Sequence, residues 1–440
     1  GGSASVYGAG IYALYSTAIM NCNVHDNICT SSYNEYAKGG GIYAEYVRDI
    51  TSCQVRNNTA TNGDGGGLYV YGSSDYITLK DCIIQNNSAL FGGGVYSYQY
   101  MTMTDCLLSN NASTNNGGGL VIMYGYARLY NNTIVRNSSA TGKANGIYIT
   151  SNASTGVDIT NNILWGNGHA NGTGQLLNNG SMTFQYNGIQ DGYSGLGNIP
   201  LASENTGGMS PMFVSPTEGY GTAYVGGDWQ LTEGSVCVNH GTTSNIPLPE
   251  TDLAGHIRIQ KNAVDMGCYE SAYDAVVLLT PDANGIIYVK QDGAGNKDGS
   301  SWENATDNLQ LAVGIAATAN PVGQVWVAAG TYVGGGAGNV NAFTMEAGVK
   351  VYGGFAGNES ADYDLALRDF ETNTTILDGQ HSHRVLSQVN SSTTALWDGF
   401  TIQNGGLVSG SGAGVYLYYG TLSNCIVRNN SISQPTSTSY

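Results

Sequence analysis

Charge is scarce in this sequence. Asp, Glu, Lys and Arg make up only 11% of its 440 residues, against about 25% in ordinary soluble proteins. The charges present are 15 basic and 32 acidic, a net −17 at neutral pH. So few Lys and Arg argue against nucleic acid or an anionic membrane as partner, since both select basic patches. The acidic balance otherwise serves solubility. Long apolar runs are missing too: none reaches the ~18 residues that a membrane span needs. The eight cysteines include no CxxC and no Cys/His metal spacing, and they do not form a spaced disulfide framework. No targeting leader stands at the start, and the chain opens inside a repeat. The sequence is therefore expected to be a window on a longer tandem protein.

Glycine (64) and tyrosine (31) are abundant instead, a turn-rich and strand-rich composition. The stretch at residues 39–64, GGGIYAEYVRDITSCQVRNNTATNGD, organises the rest. It is rewritten at 65–91, at 92–116 and, more loosely, at 117–143. The starts are 26, 27 and 25 residues apart, a period that signals repeat architecture. Each unit holds two or three short runs of alternating apolar and polar residues, and none is long enough for a crossover helix. One such unit cannot bury its own apolar face and must stack on its neighbours. The expectation is an all-β, right-handed parallel β-helix. Cys22, Cys53, Cys82, Cys106 and Cys425 should form an internal ladder. Asn57–Asn58, Asn86–Asn87, Asn110–Asn111 and Asn429–Asn430 should form another, at a turn where Asn accepts left-handed backbone.

After residue 200 the period is lost. The segment reads PMFVSP, then GDWQLTEGSVCVNHG, then TDLAGHIRIQKNAVDMGCYE. Pro211, Phe213, Asp228, Leu231, Gly234, Cys237, Gly241, Asp252, Gly255, Arg258, Asp265, Gly267, Tyr269 and Glu270 match a recurring pattern. It resembles the closing segment of secreted bacterial β-helix proteins of the choice-of-anchor Q type. Val236 and Cys268 depart from it, where Pro and Ala are usual. A solenoid needs a cap, and this segment is expected to supply it. From residue 286, IIYVKQDGAGNKDGSSWENATDNLQLAVG resembles the opening of bacterial β-helix and polysaccharide-lyase-like domains. Tyr288, Val289, Gly293, Asp298, Gly299, Ser301, Trp302, Ala305, Leu309 and Gln310 carry that likeness. Thr306–Asp307 should cap a short helix that Pro321 ends. The organisation expected is 1–199, the last coils of one β-helix; 200–270, its closing segment; 271–285, a linker; and 286–440, the cap and first coils of a second.

Candidate sites are few. Alternation along GGG-I-Y-A turns Ile and Ala inward and Tyr outward, so Tyr12, Tyr43, Tyr69, Tyr96, Tyr148 and Tyr416 should form an exterior column. That column either stacks on sugar rings or a partner protein, or only on itself. Asp292, Asn296 and Asp298 offer oxygen ligands at the odd spacing of a calcium loop, without a closing acid. Cys237 and Cys268 lie outside the ladder and are candidates for a disulfide. Asp81 and Asp105 sit in register, each just before its ladder Cys, and read as an acid pair without the basic partner a lyase would require; glycoside hydrolysis needs two carboxylates facing one groove. His381 and His383, two apart on an expected strand, lack a third metal ligand.

Together these features imply a structural or adhesive unit of an extracellular or cell-surface protein, without catalysis and without a cofactor beyond structural calcium. Copies of the chain itself, joined head to tail, and surface polysaccharide are the partners that fit. A carbohydrate-binding module and a polysaccharide lyase or hydrolase are the alternatives, because the fold alone does not decide.

Overall fold

The structure, a computed structural model, describes residues 6–31, 36–72, 77–98, 100–140, 144–153, 156–168, 174–190, 192–203, 205, 209–224, 226–261, 263–318, 323–335, 340–388 and 395–433. The chain forms two compact units, Gly1–Val276 and Val277–Tyr440. Both are right-handed parallel β-helices, with about 14 turns in all. The division falls within the segment read as a linker.

In the first unit successive turns contribute short strands to four main parallel sheets, of five, seven, seven and eight strands. The first sheet runs from Ile11–Leu14 through Ile42–Glu45, Leu68–Tyr71 and Val95–Tyr98 to Leu176–Asn178. Pairing is in strict register: Ile42 lies between Ile11 and Leu68, and Leu68 is next to Val95. The interior is a continuous apolar column that includes Ile42, Ala44, Ile50, Val55, Leu68, Leu79, Ile84, Met103 and Leu108. Each such side chain buried contributes roughly 1.5–3 kcal/mol.

Corners between sheets are made by left-handed residues. Asn57, Asn86 and Asn110 have φ near +56°, and Asn21, Ser52, Asp81 and Asp105 have φ near +52°. A backbone bent this way turns the next N–H away from the neighbouring strand, and an unpaired buried N–H is costly. Asparagine supplies the acceptor. The first Asn of each pair takes the turn and the second makes the ladder. Asn27, Asn58, Asn87, Asn111, Asn137 and Asn167 each donate their backbone N–H and Nδ2 to the Oδ1 of the next rung, the last to Oε1 of Gln175, at 2.7–3.1 Å. The remaining Nδ2 hydrogen of Asn111 reaches back to Ile84 O at 2.9 Å. One buried amide thus ties three turns together with all its groups satisfied.

At the other corner Cys22, Cys53, Cys82 and Cys106 stack, and the column then changes chemistry. Cys106 N donates to Asn132 Oδ1, and the rungs continue through Asn162 and Asn187 to Asn198. A thiol fills this position as a small apolar group, whereas an amide fills it and bonds it. Cys425 belongs to the second unit, where its Sγ faces Trp397 O and Ser423 O rather than another thiol. The glycine triplets have a plain cause: Gly39, Gly65 and Gly92 have φ of +62° to +71°, and a Cβ there would strike the carbonyl oxygen three residues on.

The segment expected to cap the first unit runs along its flank instead. The sheet that runs from Asn23–His25 to Ile199–Leu201 carries buried apolar residues on its outer face from its fourth strand onward, Leu107, Val135, Ile163 and Trp165, where earlier strands show Gln54, Arg56, Gln85 and a half-buried Ile83. Residues 209–271 cover that face. Phe213 wedges between Trp165 and Trp229 at 5.6 and 5.2 Å. The open end is met by the preceding loop, with Tyr193 against Phe184.

In the second unit one helix, Leu309–Thr318, buries Leu309, Ala312, Val313 and Ala316. Its capping residue is Asn308, whose Oδ1 accepts from Leu311 N at 3.0 Å. Thr306 serves one step earlier by accepting from Asn308 N. An aromatic layer of Tyr288, Trp302, Trp326 and Phe355 packs near it.

The ladder gives a direct expectation. Asn111→Leu leaves the N–H and Nδ2 of Asn87 without an acceptor and should cost at least about 2 kcal/mol, read as a lowered urea midpoint. Asn57→Gly, at a left-handed corner, should cost under about 1 kcal/mol.

Candidate functional site

The six tyrosines expected on the exterior divide into three situations. Tyr12, Tyr43, Tyr69 and Tyr96 form one stack, with ring centroids 5.0–5.5 Å apart and planes within 16°. Val121 then occupies the position and separates them from Tyr148. Tyr416 lies in the second unit, paired with Ser387, under the Arg384 guanidinium at 5.0 Å. The stack points away from the apolar interior but is not an open face. Tyr43, Tyr69 and Tyr96 are each only 4% exposed. Phe91, Tyr71, Tyr98 and Met123 pack over them, and Lys38 Nζ lies 5.3 Å from the Tyr69 ring. Tyr71, Tyr98 and Met123 follow the glycine triplets, whereas Phe91 comes from the bend before one, where Lys38, Asp64 and Phe91 line up as a column of their own. Only Tyr12 remains well exposed, on the edge coil. A sugar therefore has no access to most of the column first singled out.

A second lane of tyrosines does reach solvent. Tyr15 lies on Tyr46 at 4.9 Å, Tyr46 meets Tyr71 at 6.3 Å, Tyr71 meets Tyr98 at 5.5 Å and Tyr98 meets Tyr124 at 4.5 Å. Tyr100 and Tyr126 pair alongside at 5.1 Å. Interplanar angles run from 4° at Tyr15–Tyr46 to 76°, 32° and 52° further along this lane, whereas the inner stack is parallel throughout. Tyr15 is 73% exposed, and Tyr46, Tyr71 and Tyr98 are partly so. Its members follow the inner position by three residues at Tyr15, Tyr46 and Tyr124 but by two at Tyr71 and Tyr98. The changing offset hid the lane from a fixed-period reading. Between the lanes Glu45 accepts from Tyr43 Oη at 3.0 Å. Nearby Asp64 is pushed up to about 7 by burial, against the pull of Lys38.

The acid pair Asp81 and Asp105 does have basic neighbours, one from the repeat itself and one from the flanking segment. Lys80 Nζ lies 3.4 Å from Asp81, and Arg258, fully buried, lies 3.3 Å from Asp105. Arg258 also faces Glu270 at 3.9 Å and donates to Gly267 O. The arginine comes from the flanking segment, more than 150 residues along the chain. Its neighbours are the other residues of the closing-segment pattern. Asp252 accepts from the N–H groups of Ala254, His256 and Glu270 at 2.7–2.9 Å, and Asp265 from those of Asn239 and Ser271 at 2.7 Å. Further along the same corner, Asn131 donates to Asp265 O, and Asn161 exchanges two bonds with Thr242 at 2.8 Å. These side chains fasten the segment to the coils; they do not line a groove.

The remaining candidates are dispersed. In the loop read for calcium, Asp298 accepts from Ser300 N and from Asn296 Nδ2 at 2.8–2.9 Å, and Asp292 is exposed. Among the described residues no group of three His, Cys, Asp or Glu is arranged to hold a metal. Cys237 and Cys268 are free thiols, both fully buried, so the disulfide is not formed; Cys268 packs at Thr133 and Cys237 near Gly188. His381 and His383 lie in a turn rather than on a strand, and His383 pairs with Ser382. A hollow of about 430 Å³ lies at Ser215, Thr217, Glu218 and Tyr224, with one carboxylate.

The family description "right handed beta helix region" matches residues 7–193, the coils that carry both ladders and both tyrosine lanes. No curated protein matches the chain.

Burial pushes Asp105 up to about 7 and Glu270 up to about 8 against the pull of Arg258, and it raises Asp265 as well. Unfolded carboxyls titrate near 4. Groups that hold their protons longer when folded stabilise the fold at low pH and lose that contribution as pH rises through about 7 to 8. Denaturation followed by tryptophan fluorescence should therefore show a midpoint that falls from about pH 5 to about pH 8. Arg258→Met should steepen the fall, and a rising midpoint would contradict the assignment.

Proposed function

We propose that this chain is a structural and adhesive element of an extracellular or cell-surface assembly and not an enzyme. The observation that supports this most directly is the continuity of the ladders. Amide and apolar columns fill the interior of the first unit without a break. The one pair of acids in register is spent on fastening the flanking segment, where Asp105 is fully buried against Arg258. Hydrolysis or elimination on a polysaccharide needs acids and bases that face substrate. The extracellular placement follows from the likeness to secreted β-helix proteins described above.

The outer tyrosine lane favours a second reading, in which the rod holds a glycan. Rings tilted out of their stack offer faces to the C–H groups of a sugar. The net charge of −17 disfavours an anionic polymer, which leaves a neutral polysaccharide as the ligand class.

Affinity gel electrophoresis through neutral polysaccharides tests the adhesive part. Retardation is expected, and Tyr46→Ala and Tyr98→Ala should each weaken it by about 1 kcal/mol without changing the circular dichroism. Incubation with the same polysaccharides should release no reducing or unsaturated ends. Release that disappears in Asp81→Asn or Asp105→Asn would overturn the non-catalytic reading.

A further inference from the structure

Hydrogen bonds and packing hold the coils of the first unit to one another, and all eight cysteines are free thiols. The abundant oxidisable side chain is tyrosine, present 31 times. Along the outer lane tyrosine rings meet across consecutive coils, and the meetings differ in geometry. Tyr15 and Tyr46 lie face to face, with centroids 4.9 Å and planes 4° apart. Tyr46 meets Tyr71 edge to face at 6.3 Å, and Tyr71 meets Tyr98 at 5.5 Å. Tyr100 and Tyr126 also meet edge to face, at 5.1 Å and 75°. Tyr98 and Tyr124 have the closest of these spacings, 4.5 Å, with planes tilted by 52°.

The strand register accounts for this pair. Ser97 pairs with Ile122, and Met123 N donates to Ser97 O at 2.9 Å. Tyr98, the last residue of the strand Val95–Tyr98, therefore lies opposite Met123, and Tyr124 reaches it from one residue further on. The stagger keeps the rings from stacking and brings them together at a tilt. Their hydroxyls share a hydrogen bond, which, followed by burial, raises the Tyr98 phenol above its ordinary value. Tyr98 is half-buried and Tyr124 is 39% exposed. Hydroxyls held side by side bring the ring carbons next to them, one Cε of each tyrosine, close as well. A bond between those two carbons keeps the rings twisted, at short spacing, with the hydroxyls adjacent. The pair has this arrangement before any bond forms. The inner tyrosines do not, because Tyr43, Tyr69 and Tyr96 stack nearly parallel and are each 4% exposed.

We infer that Tyr98 and Tyr124 form a modification site, at which a peroxide-driven one-electron oxidant joins the two rings into a dityrosine that staples consecutive coils. Each phenol gives one electron to the oxidant and its hydroxyl proton to water. The two phenoxyl radicals combine, Cε to Cε. Each of these carbons then loses its hydrogen as a proton while the ring oxygen takes one up, which restores both phenols. In all, two hydrogen atoms leave the protein and reduce one hydrogen peroxide to two waters. The new bond closes the chain between residues 98 and 124, so it removes loop freedom from the unfolded state as a disulfide does. This goes beyond the adhesive reading but rests on its extracellular placement, where such oxidants act.

Treatment of the purified 440-residue chain with a haem peroxidase and limiting hydrogen peroxide tests this. No glycan takes part, so failure here and failure of the polysaccharide-binding test are separate results. Dityrosine fluorescence is expected, with an intact mass lower by two hydrogens and a linked peptide pair that carries Tyr98 and Tyr124 within one chain. Oxidation without a link, or links that form first between Tyr100 and Tyr126 or between chains, would overturn the inference. Tyr98→Phe and Tyr124→Phe keep the rings and should keep the circular dichroism, yet each should abolish the early product. Tyr100→Phe should leave it in place. A product that persists in Tyr98→Phe or Tyr124→Phe would refute the assignment. The linked chain should also unfold at a higher urea midpoint than the untreated one, and an equal midpoint would refute the staple.

Discussion

The structure depends on what happens to backbone N–H groups at its corners. Within each short strand the parallel sheet satisfies them. At a corner the chain passes through a left-handed residue, the strand pairing breaks, and the next N–H is buried. A buried donor without an acceptor costs about as much as several apolar contacts return. The amide of the following asparagine resolves this for the coil before it, and the same side chain reaches two coils in opposite directions. The turn, the coil spacing and the narrow interior are therefore coupled: an Asn Oδ1 meets the rung before it only if the coils stack in register.

That coupling decides where function can reside. Apolar and amide side chains fill the interior among the described residues, which turns attention to the outer faces. One outer face is consumed. Apolar residues on the sheet from Asn23–His25 to Ile199–Leu201, with Asp105, Asn131 and Asn161 projecting from the corner, hold the segment 209–271 in place. Another is half consumed, since the inner tyrosines are buried by one another and by Tyr71, Phe91, Tyr98 and Met123. The outer tyrosine lane is the aromatic surface that remains accessible along that side. Buried acids with raised pKa values, often a sign of a reactive site, here belong to the fastening of one segment to another.

The solenoid was legible in the sequence because its causes are local and repeated: the glycine triplet, the period-2 strand and the Asn pair recur at a nearly constant period. The helix in the second unit was visible for the same reason, although its cap is Asn308 rather than the Thr306–Asp307 pair. What escaped was non-local or irregular. NNTI and NNIL stand where earlier repeats have DCII and DCLL, so the replacement of the thiol ladder by an amide ladder was present as a motif but disguised by its change of residue type. Nothing near Asp105 announces Arg258. The flanking segment did leave a trace, in outward-facing Leu107, Val135, Ile163 and Trp165, where a solvent face would carry polar residues. The direction of Tyr43 followed from alternation, but its burial depends on its stacking neighbours Tyr12 and Tyr69 and on the Tyr7 ring 4.6 Å away, which alternation does not describe.

The claim that side-chain amides serve as the missing strand neighbours at the corners can be examined one amide at a time. Residue-resolved hydrogen exchange on the native chain is the direct measurement. The backbone amides of Asn58, Asn87, Asn111 and Asn137, each bonded to the Oδ1 of the next rung, are predicted to exchange as slowly as those of the neighbouring strands, through opening of whole coils. Exchange of these four amides at the rates of surface turns, while the strands remain protected, would contradict the account.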